Sequence, residues 1–445
     1  MKKYAIIFLG LIAALILAQC SKRSNPVDIT AEHGRYWSLY FESDAIKGDK
    51  MTDFWWRQIL VYTPPGYNPG DTLTPIATAV DSIHPGDTII FGDTTGGHAP
   101  DSVHIILPDT FFVYGDTSYG TYYPVLYLLH GYGGDHEYFK GYYNLSDILD
   151  ELILSGQIRP MIVAMPNATN NLGGSFYTNS PDFGTGQSYA GRMQDFIANE
   201  VVHVVDSVFN TQKDREHRGI AGHSMGGYGA LKLAMLRSDL FASASSMSGP
   251  LAFYGQKTFD STATFAGLIS LMPVVFEENN FTPGDTAAFY TIKPASTKRL
   301  TNMMFAMASA FSPHDPANPD TSYMHRFTTG QFAGALDLPF DANGQLALSV
   351  WQHWMANDVT ATLAYLPAGA LSATDVYVDA GDHDDLYLQY QAAVFDGLIT
   401  AANPARRYAY QIYSGSSGLF VADHMSMIHE RIKEVAKFHN ETFNR

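Results

Sequence analysis

Short apolar runs alternate with amphipathic stretches along most of the chain after residue 121. Residues 124–129 and 161–165 are continuous apolar runs, as expected for strands buried on both faces of a sheet. In residues 146–154 and 194–209, apolar positions recur with the helical period. The pattern continues with strands predicted at 218–221, 241–247, 375–380 and 408–413, and helices at 227–236, 386–398 and 426–438. This alternation predicts an α/β fold with a doubly wound, mostly parallel sheet.

Two stretches interrupt the alternation. Residues 68–121 repeat Gly-Asp-Thr four times, between short runs that favour strands. Because Gly-Asp favours turns and Thr favours strands, we predict an inserted segment of β-hairpins, and its acidic residues lack the spacing of a calcium-binding EF-hand loop. Residues 250–367 are rich in Phe, Met and Pro and predict a large, lid-like insertion. The two insertions interrupt one catalytic domain, predicted over residues 51–445.

The N-terminal segment has the pattern of a signal peptide. Lys2 and Lys3 precede an apolar run over residues 4–18, which is short for a membrane span. The run ends in Leu-Ala-Gln-Cys at 17–20, which resembles a bacterial lipobox except for the Gln. We therefore predict a signal peptide over residues 1–20, a lipidated Cys20, and a tether and N-terminal segment over residues 21–50. An ordinary secretory signal and an uncleaved anchor remain alternatives, and all three place the domain outside the cytoplasm.

Composition excludes several classes of function. The chain carries 44 acidic and 27 basic residues, a net charge of −17, which argues against nucleic acid as a partner. Its single cysteine excludes an intramolecular disulfide and a cysteine-based zinc site. With 46% hydrophobic residues, the chain has enough apolar material for a large core. Contact with a membrane is predicted only through the N-terminal lipid.

Two glycine-rich loops carry candidate chemistry. Gly-His-Ser-Met-Gly at 222–226 is a G-x-S-x-G motif between a predicted strand and a predicted helix, which is the context of a nucleophile elbow. Such an elbow presents Ser224 as a nucleophile beside a helix N-terminus, whose dipole favours developing negative charge. His-Gly-Tyr-Gly-Gly at 130–134 follows an apolar strand. We predict that the backbone N–H groups of Tyr132 and Met225 form an oxyanion hole.

A serine nucleophile needs a base and an acid that orients it. In this type of fold the chain order is Ser, acid, His. His424 follows the last predicted strand and precedes the final helix, so it is the predicted base. For the acid, the loop after the strand at 375–380 offers Asp382, Asp384 and Asp385. Chemistry of this kind requires no metal or organic cofactor.

Three segments carry a resemblance to a known family. They are YPVLYLLHGYGG at 123–134, SFYTNS at 175–180 and GIAGHSMGGYGA at 219–230. Together they resemble the esterase D–type "putative esterase" family, which includes feruloyl and acetylxylan esterases, S-formylglutathione hydrolases and mycolyltransferases. The resemblance implies an α/β-hydrolase fold and a triad in which Asp384, three residues after Gly381, orients His424. Many relatives have Gly-His-Trp at the base, where this chain has Asp-His-Met at 423–425.

These features predict an extracytoplasmic serine ester hydrolase. Its substrate would be a small-molecule or polysaccharide ester, with feruloyl or acetyl esters of plant polysaccharides favoured by the predicted location. Phe176, Tyr177 and Trp351 are the predicted substrate-binding residues, because an aromatic-lined cleft suits aryl groups and sugar rings. The alternatives are an acyltransferase of the mycolyltransferase type, a siderophore esterase, and a non-catalytic glycan-binding lipoprotein.

Overall fold

The computed structural model describes residues 33–51, 56–67, 88–93, 103–106, 122–184, 188–253, 271–327, 334–367, 369–402, 405–415 and 421–445. The predicted signal peptide, its Cys20 and most of the predicted tether lie outside these residues. So do parts of both predicted insertions. Within the described ranges, no helix is both long enough and apolar enough to cross a membrane.

Ten of the described strands form one sheet, and two more form a separate pair. The strands are β1 (Arg35–Glu42), β2 (Trp56–Thr63), β3 (Thr88–Asp93), β4 (Val103–Ile106), β5 (Val125–Leu129), β6 (Ile162–Pro166), β7 (Arg218–His223), β8 (Ser243–Met247), β9 (Met324–Phe327), β10 (Gly334–Asp337), β11 (Asp375–Gly381) and β12 (Arg407–Tyr413). The order across the sheet is β12-β11-β8-β7-β5-β6-β2-β1-β3-β4, with β9 and β10 apart. The six strands from β12 to β6 are parallel, and the other four are antiparallel.

The described helices comprise those that cover the two faces of the parallel strands and those of the second insertion. They are α1 (Tyr138–Tyr143), α2 (Leu145–Leu154), α3 (Met193–Asp195), α4 (Val202–Val208), α5 (Met225–Leu236), α6 (Met272–Glu278), α7 (Thr286–Phe289), α8 (Arg299–Phe311), α9 (Leu348–Met355), α10 (Val359–Tyr365), α11 (Leu388–Ala402) and α12 (Ile428–Phe443). A π-helical turn, Phe196–Val201, joins α3 to α4, and a 3₁₀ turn, Arg215–His217, precedes β7.

The two faces of the sheet form two hydrophobic cores. Along β5, Val125 and Tyr127 belong to one core, whereas Leu126 and Leu128 belong to the other, because successive side chains of a strand point to opposite faces. Helices α1, α2 and α12 pack on the second face, and the remaining long helices pack on the first. Strands β5 to β8 are buried along their whole length, as their continuous apolar or small-residue runs require. The predicted doubly wound, mostly parallel sheet is confirmed.

The N-terminal boundary of the domain differs from the prediction. Strand β1 pairs with β2 along its whole length and with β3 on its other side, so it lies inside the sheet. Leu39 and Phe41 on this strand are buried in the first core. The domain therefore includes residues before 51, and the half-buried sequence of β1 gave no continuous apolar run that would have shown this. In the first insertion, the described backbone forms the antiparallel pair of β3 and β4 and extends the sheet.

The second insertion is fastened to helix α5. The Lys232 side chain on α5 is buried, and its Nζ donates to the Thr178 Oγ1 at 2.6 Å and the Asn357 Oδ1 at 2.7 Å. Burial lowers the pKa of Lys232 to about 7, and the two acceptors satisfy two of its N–H donors. Because Asn357 joins α9 to α10, this contact ties the insertion to the helix that follows Ser224.

Candidate active site

Ser224 lies on a strained turn between β7 and α5. Its backbone has φ 56° and ψ −121°, a conformation that non-glycine residues rarely adopt. The flanking glycines permit this turn because the backbones come very close. A Cβ at Gly226 would lie 1.9 Å from the carbonyl oxygen of Leu129, and one at Gly222 would lie 2.3 Å from the carbonyl carbon of Gly226. The turn holds the Ser224 hydroxyl at the carboxyl end of the sheet.

The His424 ring lies between the Ser224 hydroxyl and a buried carboxylate. Its Nε2 is 2.9 Å from the Ser224 Oγ, and its Nδ1 is 2.9 Å from the Asp384 Oδ2. Asp384 is only 2% exposed, and its Oδ1 accepts a hydrogen bond from the Leu386 backbone N–H at 2.9 Å. An ionised carboxylate can only accept, so it selects the tautomer with the proton on Nδ1 and leaves Nε2 free to accept from Ser224. This is the geometry that lets an imidazole remove a hydroxyl proton.

The other two carboxylates of the acid loop point elsewhere. The Asp382 Oδ1 lies 2.7 Å from the His383 Nδ1, and this hydrogen bond lowers the pKa of Asp382. The Asp385 side chain is exposed and lies 4.0 Å from the Arg299 guanidinium. Of the three carboxylates that the sequence left open, the structure brings Asp384 to His424.

His424 is also held through its backbone, by two residues to which the sequence analysis assigned no role. The His223 Nε2 donates to the His424 carbonyl oxygen at 3.0 Å, and the His223 Nδ1 accepts from the Tyr138 hydroxyl at 2.8 Å. Burial lowers the pKa of His223 well below its usual range, so the ring is neutral and makes both hydrogen bonds. His223 stood inside the G-x-S-x-G motif, but nothing in the sequence connects it with Tyr138, 85 positions away in the chain.

Within the described part of the chain, the two predicted oxyanion donors have no protein acceptor. Among the described residues, neither the Tyr132 nor the Met225 backbone N–H donates to a protein acceptor, and both residues line the same pocket as Ser224. The glycine-rich loop that carries Tyr132 is held by the Tyr132 hydroxyl, which donates to the Leu172 carbonyl oxygen at 2.6 Å. Met225 is the first residue of α5, where the helix dipole favours negative charge. These amides are therefore available to a ligand oxygen.

His130, at the start of the same loop, has a structural role. Its Nε2 accepts from the Ala168 backbone N–H at 3.0 Å, and its Nδ1 donates to the Gly131 carbonyl oxygen at 2.9 Å. Burial lowers the pKa of His130 to about 4, which keeps the ring neutral. The ring therefore holds the loop in place, and neither of its nitrogens is free to act as an acid or a base.

The pocket at Ser224 is almost entirely apolar. Its walls are Tyr132, Phe176, Ser224, Met225, Pro250, Leu271, Met303, Met307, Leu386, Leu388 and Gln391. The second insertion supplies Pro250, Leu271, Met303 and Met307, so it forms part of the wall of the site. In the described part of the chain, no group of three or more His, Cys, Asp or Glu side chains could hold a metal ion.

Of the three predicted substrate-binding residues, only Phe176 lines this pocket. The Tyr177 side chain is buried, and its hydroxyl donates to the His130 carbonyl oxygen at 2.9 Å. Trp351 stacks on Trp354, with ring centroids 5.9 Å apart, in the wall of a neighbouring apolar cavity. The structure therefore places Tyr177 and Trp351 outside the walls of the Ser224 pocket, because position in the chain does not determine the direction of a side chain.

A family model described as "Putative esterase" matches residues 99–428, which is most of the chain. The chain belongs to this esterase family. Together with the sheet topology, this match confirms the predicted family and the predicted α/β-hydrolase fold. This family agrees with the predicted class of enzyme, a carboxylic ester hydrolase.

Curated relatives of this esterase match over part of the chain. Esterase Rv1288 of Mycobacterium tuberculosis is 32% identical over 168 residues, which are 38% of this chain and 33% of the relative. The endo-1,4-beta-xylanase/feruloyl esterase of Xylanibacter ruminicola is 32% identical over 128 residues, 28% of this chain and 16% of the relative. An acetyl esterase of Caldicellulosiruptor saccharolyticus is 30% identical over 130 residues, 29% of this chain and 42% of the relative. The match thus spans well under half the length of each relative.

Proposed function

We propose that this esterase is a serine carboxylic-ester hydrolase in which Ser224 is the nucleophile, His424 the base and Asp384 the orienting acid. The observation that carries the proposal is the pair of 2.9 Å contacts of His424, one to Ser224 and one to Asp384. A serine hydroxyl is a weak nucleophile until an adjacent base takes its proton, and the third group keeps that base in the right tautomer.

The reaction follows from these positions. The Ser224 Oγ attacks the ester carbonyl carbon while its proton passes to the His424 Nε2, and the imidazolium is stabilised by the Asp384 carboxylate. The carbonyl oxygen becomes an oxyanion and accepts from the Tyr132 and Met225 N–H groups. Collapse of this intermediate breaks the ester C–O bond, and the alcohol leaves with the proton from His424. Water then gives a proton to His424 as its oxygen attacks the acyl carbon. The bond from that carbon to the Ser224 Oγ breaks, His424 returns the proton to Oγ, and the acid leaves.

For the substrate, we propose esters of plant polysaccharides that carry feruloyl or acetyl groups. The pocket supports an apolar acyl group, because sugar hydroxyls buried against Leu271, Met303 and Met307 would lose their hydrogen bonds to water. The sugar alcohol would then face solvent. The names of the Xylanibacter and Caldicellulosiruptor relatives, a feruloyl esterase and an acetyl esterase, agree with these acyl groups.

A panel of esters tests this function. We expect the purified protein to hydrolyse p-nitrophenyl acetate and methyl ferulate, and to release acid from feruloylated or acetylated xylan. A fluorophosphonate probe should label Ser224, as located by peptide mass spectrometry. A folded protein that hydrolyses none of these esters and takes no label would refute the proposal. Adding a sugar alcohol to the assay separates hydrolysis from acyl transfer, since a transferase would yield a new ester.

We further propose that the mature protein is an extracytoplasmic lipoprotein anchored through Cys20. The support is the sequence alone: two lysines, an apolar run and a lipobox-like end. Mass spectrometry of membrane-extracted protein should show a diacyl or triacyl adduct on an N-terminal Cys20. The Cys20→Ser variant should lack the adduct and leave the membrane fraction. A wild-type protein cut at another position, or one that retains Lys2 and Lys3, would refute this proposal.

A further inference from the structure

Two exposed tyrosines form a stacked pair just after the acid loop. Tyr387 is 46% exposed and Tyr390 is 41% exposed. Their ring centroids are 6.5 Å apart and their planes differ by 24°, so the two rings present nearly parallel faces. Single exposed aromatic residues are common on protein surfaces, whereas a stacked pair of exposed rings beside a pocket offers a ligand a larger apolar contact.

This pair lies at the rim of the Ser224 pocket. Leu386, Leu388 and Gln391 line the pocket, and they alternate along the chain with Tyr387 and Tyr390. One short segment therefore turns three side chains toward the catalytic serine and two aromatic rings toward solvent. A ligand that crosses the pocket mouth along this segment would meet both rings.

The backbone at Tyr387 adopts an energetically unfavourable conformation. Its φ is 59°, in the left-handed region that bulky residues avoid, and its N–H donates to the Asp384 carbonyl oxygen at 2.9 Å. Backbone strain of this kind is concentrated at binding and catalytic sites. Because the turn begins at Asp384, the acid of the site and the exposed ring are positioned by the same turn.

The chemistry of the rim favours a neutral carbohydrate. A tyrosine ring offers an apolar face and a polar edge, which suits a sugar ring with C–H groups on its face and hydroxyls around its edge. The acid loop carries the Asp382 and Asp385 carboxylates, and the chain has a net charge of −17, so an acidic polymer would be repelled. We propose that Tyr387 and Tyr390 form a docking site for a neutral polysaccharide chain whose ester group enters the Ser224 pocket. This inference rests on the proposed function for the orientation of the ester, but carbohydrate binding itself can be measured without hydrolysis.

Binding is tested in the full chain with Ser224→Ala, so that the polymer stays intact. Affinity electrophoresis in gels with soluble arabinoxylan gives a dissociation constant from the retardation of the protein. Adding Tyr390→Ala, on helix α11, should weaken binding about tenfold or more, as for an aromatic residue at the centre of an interface. Tyr387→Gly should act likewise, and it relieves the backbone strain, so a loss of folding is not its expected effect. The matched control is Tyr365→Ala, which removes a tyrosine that is 89% exposed and lies outside both pockets, and should leave binding unchanged.

Hydrolysis provides the second measurement. With Ser224 restored, Tyr390→Ala should lower the ratio of kcat/KM for feruloylated arabinoxylan to kcat/KM for methyl ferulate by about tenfold. An equal loss on both substrates, or arabinoxylan binding that does not change in either tyrosine variant, would overturn the docking site while leaving the ester chemistry intact. A dimer in sedimentation that Tyr390→Ala dissociates would also overturn it, since a second copy would then cover the rings. Conversely, a protein that binds arabinoxylan through these tyrosines but hydrolyses no ester would refute the proposed function alone.

Discussion

Replacing Ser224 with alanine is expected to lower kcat for ester hydrolysis by a factor on the order of 10⁶, the loss seen when a triad serine protease loses its nucleophile. The substitution removes the atom that forms the acyl-enzyme, so only the oxyanion donors and substrate binding remain to accelerate attack by water. The rate is measured with methyl ferulate and p-nitrophenyl acetate at saturating concentration. The fold should persist, because the Ser224 side chain contributes no packing that alanine lacks beyond one hydroxyl.

Two controls make this result specific. Ser372→Ala removes an exposed serine from a distant turn and should leave kcat and the melting temperature unchanged. The melting temperature of Ser224→Ala should stay within a few degrees of that of the wild type, since the substitution removes one hydroxyl and its hydrogen bond to His424 and leaves the backbone unchanged. Near wild-type hydrolysis by a folded Ser224→Ala protein would exclude Ser224 as the nucleophile.

Replacing Asp384 with asparagine is expected to lower kcat about 10⁴-fold, as in the corresponding change in a serine protease. The asparagine amide has nearly the shape of the carboxylate, but its N–H₂ group can donate to the His424 Nδ1. That hydrogen bond favours the tautomer with the proton on Nε2, which cannot accept the Ser224 proton. The loss should appear in kcat on every ester of the panel, because the defect lies in the base and not in the substrate pocket.

The neighbouring carboxylates are the matched controls for this change. Asp382→Asn and Asp385→Asn should each lower kcat less than about tenfold, because in the structure their side chains contact His383 and Arg299 instead of His424. If Asp382→Asn or Asp385→Asn lost most of its kcat while Asp384→Asn kept it, another carboxylate would orient the base. The site would still be a Ser-His-Asp triad, but with a different aspartate as its acid.

The rim tyrosines and the triad depend on the conformation of the same turn, but they require opposite environments. Asp384 must lie buried against His424, whereas Tyr387, three residues later, must stay in solvent. The left-handed backbone at Tyr387 lets the chain satisfy both within one turn of a few residues. If both proposals hold, this segment couples recognition of the polymer to the position of the acid.

The features whose causes lie within a few residues could be predicted from the amino-acid sequence. The alternation of apolar runs and amphipathic stretches predicted the mostly parallel sheet, since burial on both faces leaves a continuous apolar strand. The glycines around Ser224 predicted the elbow, because only glycine permits so close an approach of a strand and the next helix. The glycine-rich loop at Tyr132 was likewise predicted from its place directly after a strand.

Only the tertiary structure decided features that depend on contacts between distant segments or on the direction of a side chain. Asp384 and His424 are 40 positions apart, and the sequence alone offered Asp382 and Asp385 as equals of Asp384 until a family resemblance was invoked. Phe176 and Tyr177 are neighbours in the chain, yet one lines the pocket and the other lies beneath the loop that begins at His130. The physical reason is that local patterns set backbone conformation, whereas packing against the rest of the molecule sets which groups meet.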